Sequence, residues 1–204
     1  MSNREIDFYG EVIDRFTSHI EEFLPSNLEL VGLHNQLPLC GDFGGMMRVL
    51  EKRFSVNLGN HYFPRLKIDA LLASKDQENR IRMIMIEVKY GNPLRLIDYS
   101  QLIGYLQIAK VCIGGALVLV ADKKIETIST DFLKVIELRQ VDLAWRVSQP
   151  HDDHGYEFKA GLALCDIGNG THLLDTRNNF GIAEWSEFAD LLVHSDQFLN
   201  AEEF

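Results

Sequence analysis

The sequence predicts an α/β fold in which helices flank a mixed central sheet, and three observations carry that expectation. Two apolar runs, Leu66 to Ala73 and Ile81 to Tyr90, are separated only by the polar stretch Ser74-Lys75-Asp76-Gln77-Glu78-Asn79, the pattern of an antiparallel hairpin. After the second run come Gly91-Asn92-Pro93, a helical stretch and the continuous apolar run Ala116 to Ala121, which together make a parallel crossover unit. Apolar residues at helical spacing precede and follow this block.

From the N-terminus, Ile6, Tyr9, Val12, Ile13, Phe16, Ile20 and Phe23 recur on one face of a helix expected over Arg4 to Leu24, which Pro25 ends. Ser26 to Gly41 reads as a loop. Asp42 is a plausible N-cap for a second helix, because Phe43, Met46, Met47, Leu50 and Phe54 fall at i, i+3, i+4, i+7 and i+11. A strand over Val56 to Phe63 is expected next, then the hairpin. Asp98 or Ser100 can cap a helix from Tyr99 to Val111, with Gly114-Gly115 as the break before the strand Ala116 to Ala121. Downstream, Thr130 caps a helix to Leu138, Val141 to Val147 and Tyr156 to Cys165 alternate as strands, and Gly168-Asn169-Gly170 turns into a short strand at His172 to Leu174. A helix over Trp185 to Val193 follows. The organisation is an N-terminal helix and loop (1–41), a core (42–124), and a C-terminal α+β extension (125–204) that is either a continuation of the sheet or a small subdomain.

The chain has 204 residues, 46% hydrophobic and 25% charged, enough to build a sizeable core. Neither an apolar window of membrane-spanning length nor a secretory leader is readable, so the chain reads as cytoplasmic. Cys40, Cys112 and Cys165 are odd in number and lack the spacing of a disulfide framework or a thiolate metal site, so they read as small buried hydrophobes. The net charge of −10 argues against a generic polyanion binder. Its distribution is uneven, however: His61 to Lys124 contains ten Lys and Arg against six Asp and Glu, leaving ten against twenty-four elsewhere.

Chemistry concentrates on the hairpin. Period two puts Glu87 and Lys89 on one face of their strand and Ile86 and Val88 on the other. Asp69 interrupts an otherwise apolar run in the preceding strand, and pairing across the hairpin brings it opposite the Glu87 region. Charges inside an apolar sheet lose several kcal/mol of solvation each unless a partner offsets the loss, and a metal ion is such a partner. Two carboxylates and a backbone carbonyl are hard oxygen ligands suited to Mg²⁺. Lys89, on the same face, stands where an ammonium can orient a water and stabilise phosphoryl charge. Arg65, Lys67, Arg80, Arg82 and Arg95 flank this block in sequence and are candidates for phosphate contacts. His151-Asp152-Asp153-His154 has metal-friendly side chains but lies between Pro150 and Gly155, the composition of a solvated turn. No phosphate-binding glycine loop or nucleophile elbow is present.

In this order, Ile68-Asp69 followed by Glu87-Val88-Lys89 within an α-β-β-β-α-β succession resembles the PD-(D/E)XK nuclease superfamily, with Ile68 in place of the nominal Pro. The resemblance covers about Asp42 to Ala121. It implies a restriction-endonuclease-like core in which Asp69, Glu87 and the Val88 carbonyl hold Mg²⁺, for which Mn²⁺ can substitute, and Lys89 serves the attacking water. Gln101 and Tyr105, four apart on one helix face, are similar to the Q-x-x-x-Y pattern of the RecB-nuclease-like branch and imply a role beside the site. Many members carry a further acid on the first core helix; Glu51 is the best match here and Glu29 the weaker one. The expected activity is metal-dependent hydrolysis of DNA phosphodiester bonds, with a homodimer implied where both strands are cut. The alternatives are a non-catalytic DNA-binding or protein-interaction module of the same fold and an RNA-processing nuclease.

Overall fold

The computed structural model describes residues 3–203 apart from 60, 123, 139–142, 150–151, 168 and 177–180. Its elements begin with helices α1 (Asn3–Ile6) and α2 (Tyr9–Glu21), strand β1 (Glu29–His34), helix α3 (Phe43–Phe54), and strands β2 (Val56–Asn57), β3 (Ala70–Lys75) and β4 (Arg80–Tyr90). They continue with helix α4 (Leu96–Ile108), strand β5 (Cys112–Ala121), helix α5 (Thr130–Glu137), and strands β6 (Ala144–Gln149), β7 (Asp152–Asp166) and β8 (Gly170–Leu173). Helix α6 (Trp185–His194) and the short strands β9 (Leu199–Asn200) and β10 (Glu202–Glu203) complete the described chain. None of the described helices is long and apolar enough to cross a membrane.

The fold is α/β with a mixed central sheet. Its strand order is β1-β3-β4-β5-β7-β6, with β8 beside β7 and β9 beside β4. The pairs β1–β3, β3–β4 and β6–β7 are antiparallel, whereas β4–β5 and β5–β7 are parallel. Strands from all three stretches of the chain therefore join one sheet. The apolar composition of β4 and β5 follows from their cover on both faces. Met83, Met85, Leu117 and Leu119 meet Met46, Met47 and Leu50 of α3 and Leu102 and Leu106 of α4 in one core. Ile84, Ile86, Val88, Val118 and Val120 share a second core with Val12, Ile13 and Phe16 of α2 and Phe188 and Leu192 of α6.

In chain order the elements of this region run α2-β1-α3-β2-β3-β4-α4-β5, and the opening of the expected α-β-β-β-α-β block differs from the expectation. Sequence reasoning began it with the Asp42-capped helix and a strand over Val56 to Phe63. That helix forms as α3, with the Asp42 carboxylate accepting from Gly45 N–H at 2.7 Å. The expected strand, however, reduces to Val56–Asn57 paired with β10 outside the main sheet. The sheet instead takes its first strand from the stretch read as a loop, β1, which pairs with β3 from Glu29↔Lys75 to His34↔Ala70. The helix preceding it is α2. At Gly32 a Cβ would stand 2.6 Å from Ile13 Cγ1, so its absence lets α2 lie flat on β1. Gly114 and Gly115 likewise lie inside β5 rather than before it, and a Cβ at Gly115 would meet Leu102 and Leu106 of α4 at 3.0 Å. The first expected helix is divided at Asp7 and Phe8 into α1 and α2. Helix α4 starts earlier than expected because Asp98 sits one turn inside it and takes the Arg95 N–H at 2.9 Å.

Gly32→Val tests this docking because propensity and packing predict opposite signs. Valine favours strands, yet here the added side chain would lift α2, and overpacking of this kind costs about 1–3 kcal/mol. Thermal denaturation should show a Tm lowered by roughly 2–12 °C at about 2–4 °C per kcal/mol; an unchanged or raised Tm would refute the close approach.

Candidate functional site

The register that pairs Ala70 with Ile86 places Asp69 opposite Glu87 one step beyond the end of β3. Asp69 is held there from three sides. Asn35, the residue after β1, donates its N–H to the Asp69 carbonyl at 2.9 Å and its side-chain amide to the Ile68 carbonyl at 3.1 Å. Phe43 N–H reaches the Leu66 carbonyl at 2.8 Å. The Asp69 carboxylate itself replaces the missing strand residue by accepting the Val88 N–H at 2.9 Å. In a strand the N–H and C=O of one residue point to the same edge, so the Val88 carbonyl faces this edge too.

Glu87 and Lys89 project from β4 on the face that carries Met83 and Met85, the side of α3 and α4. Lys89 Nζ donates to Glu87 Oε1 at 2.5 Å. Gln101 Nε2, from α4, donates to the same oxygen at 2.7 Å and stands 3.1 Å from the Tyr105 hydroxyl. The four residues Glu87, Lys89, Gln101 and Tyr105 thus form one connected group with Asp69 at its edge. Glu87 is 1% exposed and Asp69 6%, and the two carboxyl groups lie within hydrogen-bonding reach of each other. Glu87 Oε2 is buried and has no hydrogen-bond partner among the described residues. An acceptor of this kind is costly to bury unless a proton or a cation meets it.

The protonation equilibria reflect that cost. Burial pushes the Glu87 carboxyl up to about 8, with the neighbouring Asp69 charge adding to the effect and Lys89 opposing it. Burial likewise raises Asp69, against the Val88 N–H, the Tyr9 hydroxyl and the Lys89 charge. Burial alone would lower Lys89, but the Glu87, Asp69 and Glu5 carboxylates outweigh it and hold the ammonium charged.

Two contributors were not anticipated as site residues. Tyr9, on the apolar face of α2, brings its hydroxyl beside Asp69. Glu5, from α1, accepts from the same hydroxyl at 3.4 Å and shares the field of Lys89 and Asp69. The signal in the sequence was a hydroxyl-bearing ring on an aliphatic helix face with an acid four residues before it. Glu51 has a different surrounding: its carboxylate accepts the Leu58 N–H at 3.0 Å, closing the turn after α3. Glu29 pairs with Lys75 at 3.4 Å.

The flanking cations divide. Arg65 and Lys67 are exposed on the segment leading to Asp69. Arg80 and Arg82 do not flank the site; they lie five to seven residues from Glu87 along β4, about 17 to 23 Å away at strand rise. There both bind Asp76, at 2.7 and 3.1 Å, and Arg82 also donates to the Ser195 carbonyl. Arg95 is paired with Asp98 at 3.0 Å. The side chains of His151 to His154 lie outside the described residues.

Among the described residues no three His, Cys, Asp or Glu side chains form a closed metal cage. Two carboxylates with open positions remain compatible with Mg²⁺, which keeps waters and completes its shell from phosphate. Comparison with family models, with curated proteins and with solved structures gives no match to this chain.

Because the folded-state values of Glu87 and Asp69 are raised, the folded chain binds more protons than the unfolded chain between the ordinary carboxylate range and about pH 8. The carboxyl pair therefore makes stability fall as pH rises through that window. In EDTA, Tm should be higher at pH 5 than at pH 8, and Glu87→Gln should flatten the difference. A slope identical in the variant would show that the pair does not carry it.

Proposed function

We propose that the chain is a Mg²⁺-dependent nuclease of restriction-endonuclease-like fold that hydrolyses phosphodiester bonds in DNA. The observation that carries this reading is the convergence of Asp69 and Glu87 beside Lys89, with Glu87 Oε2 buried and lacking a hydrogen-bond partner among the described residues. The series α2, β1, β3, β4, α4, β5, into which α3 and β2 are inserted between β1 and β3, has antiparallel, antiparallel and parallel pairing in the sheet and supports the fold assignment.

The donor set fits the ion. Asp69, Glu87 Oε2 and the Val88 carbonyl are hard oxygens gathered where β3 ends beside β4, and the orphaned oxygen is the one a cation would satisfy. When bound, the ion supplies polarisation of a phosphoryl oxygen and a lowered pKa for water. The chain's own residues do the rest. Gln101 and Lys89 both engage Glu87 Oε1, which fixes the carboxylate plane and leaves Oε2 for the ion. Lys89, held charged by three carboxylates, orients the attacking water and stabilises the charge that develops on the phosphate. Tyr9 and the Val88 N–H hold Asp69 in place, so its orientation does not depend on the ion. Glu87 needs the ion to be ionised at neutral pH, and this couples metal binding to proton release.

Purified protein incubated with plasmid, linear DNA and RNA in Mg²⁺, Mn²⁺ or EDTA tests the reading. Cleavage should require the divalent ion, and Asp69→Ala, Glu87→Gln and Lys89→Ala should each lower it by at least about 100-fold. Equal behaviour of wild type and variants on every substrate would sink the proposal, and cleavage of RNA alone would reassign the substrate. Glu51→Ala serves as the contrast: it should lower stability by about 1 kcal/mol through the lost Leu58 bond and leave cleavage within a few-fold of wild type.

Mg²⁺ should also stabilise the protein at pH 8. At 100 times its Kd an ion adds about 2.7 kcal/mol, so Tm should rise by roughly 5–11 °C. Asp69→Ala should abolish the shift, and a shift preserved in that variant would place the ion elsewhere.

A further inference from the structure

Helix α3 and the irregular segment 61–67 gather unpaired positive charge on a chain that is otherwise acidic. From Arg48 to Lys67 the sequence has Arg48, Lys52, Arg53, Arg65 and Lys67 against Glu51 alone, a local +4 within a net charge of −10. All five cations are exposed. Among the described residues none of them makes an ion pair, whereas Arg15, Lys75, Arg80, Arg82, Lys89 and Arg95 all do. The one acid in the stretch, Glu51, is occupied by Leu58 N–H. Arg48 and Lys52 stand one turn apart on the helix, a like-charge spacing that mildly disfavours an isolated helix.

On the same segment as Arg65 and Lys67, Tyr62 is 88% exposed. Its neighbours are not loose. Phe63 meets the Phe43 ring edge-on at 6.1 Å, His61 leans on Phe63 at 6.2 Å, and Phe43 N–H binds the Leu66 carbonyl. The segment is thus anchored on α3 while presenting an aromatic face to solvent. Helix α3 covers the sheet face from which Glu87 and Lys89 project, and the segment runs without interruption from Lys67 through Ile68 into Asp69.

We propose that this surface is a track for single-stranded DNA. Arg48, Lys52, Arg65 and Lys67 bind backbone phosphates, and the Tyr62 ring stacks on an unpaired base of the strand that reaches Asp69 and Glu87. The charge suits any polyanion; the exposed ring selects the single strand, because stacking needs a base face that a duplex hides. The direction of the track rests on the nuclease reading, while its binding does not.

Binding is measured by fluorescence anisotropy of a labelled oligothymidylate in EDTA over a salt series, with a blunt hairpin duplex as competitor. Wild type should prefer the single strand by at least about tenfold. Reversing Arg48, Lys52, Arg65 and Lys67 to Glu should reduce the slope of log K against log salt by about 3, at about 0.7 per phosphate on a single strand. Tyr62→Ala should weaken binding by about 5- to 100-fold with little change in slope. Lys124→Glu with Lys134→Glu, on exposed residues elsewhere, should alter neither.

Three results would overturn the track: affinity and slope unchanged in both variant sets, equal weakening by the Lys124 and Lys134 control, or preference for the duplex. A melting curve for each variant shows that it is folded. Cleavage assays run alongside keep the two readings distinguishable. Cleavage that depends on Lys89 but not on Arg48, Lys52, Tyr62, Arg65 or Lys67 removes the track and leaves the nuclease reading. Patch-dependent binding of the single strand by a wild type that never cleaves does the reverse.

Discussion

The structure depends on an unfavourable interaction: two carboxyl groups buried against one another at the end of an apolar strand pair. Nothing in the core of the sheet requires Asp69 or Glu87, and their neighbours along β3 and β4 are buried hydrophobics. Burial raises both acids from their ordinary values, Glu87 to about 8, so the folded protein holds Glu87 ionised near neutral pH only at the expense of stability. Stability is recovered through the surrounding partners. Lys89 and Gln101 share Glu87 Oε1, while the Val88 N–H and Tyr9 hold Asp69. One oxygen, Glu87 Oε2, receives none of this support. The proposed chemistry grows from that asymmetry, with a cation as the proposed partner of this oxygen.

Around this pair the fold acts as a positioning frame. The β3–β4 register sets the two acids opposite each other, the parallel β4–β5 pairing brings α4 across the sheet so that Gln101 and Tyr105 face Glu87, and β1 delivers Asn35 to clamp the backbone of Asp69. The N-terminal helices close the group from the other direction with Glu5 and Tyr9. These residues come from α1, α2, α4, β4 and the segments adjoining β1 and β3, so the site exists only when those elements have assembled.

Much of this was legible in the sequence, for identifiable reasons. The hairpin and crossover announced themselves because β3, β4 and β5 are covered on both faces and are therefore nearly uninterrupted apolar runs. Period two then placed Glu87 and Lys89 together without further information, and spacing of four paired Gln101 with Tyr105. What was not legible depended on contacts distant in sequence. Ser26 to Gly41 reads as a loop, whereas β1 forms within it where Gly32 lets α2 pack closely, with Ile13 2.6 Å from where a Cβ would be. The expected additional acid fell on Glu51 of α3, and its carboxylate accepts the Leu58 N–H, a contact that spacing along the helix could not show. Arg80 and Arg82 are near Glu87 in sequence, but an extended strand carries them to its far end. Tyr9 looked like ordinary core because only its hydroxyl departs from that role.

The central claim is that Asp69 and Glu87 hold one divalent cation. The most direct test is a Mn²⁺ titration followed by electron paramagnetic resonance, with a DNA oligonucleotide present, on wild type, Asp69→Ala and Glu87→Gln. The account predicts one saturable class of bound Mn²⁺ in the wild type, greatly weakened in both variants. Binding that is absent from the wild type, or that persists unchanged in both variants, would contradict it.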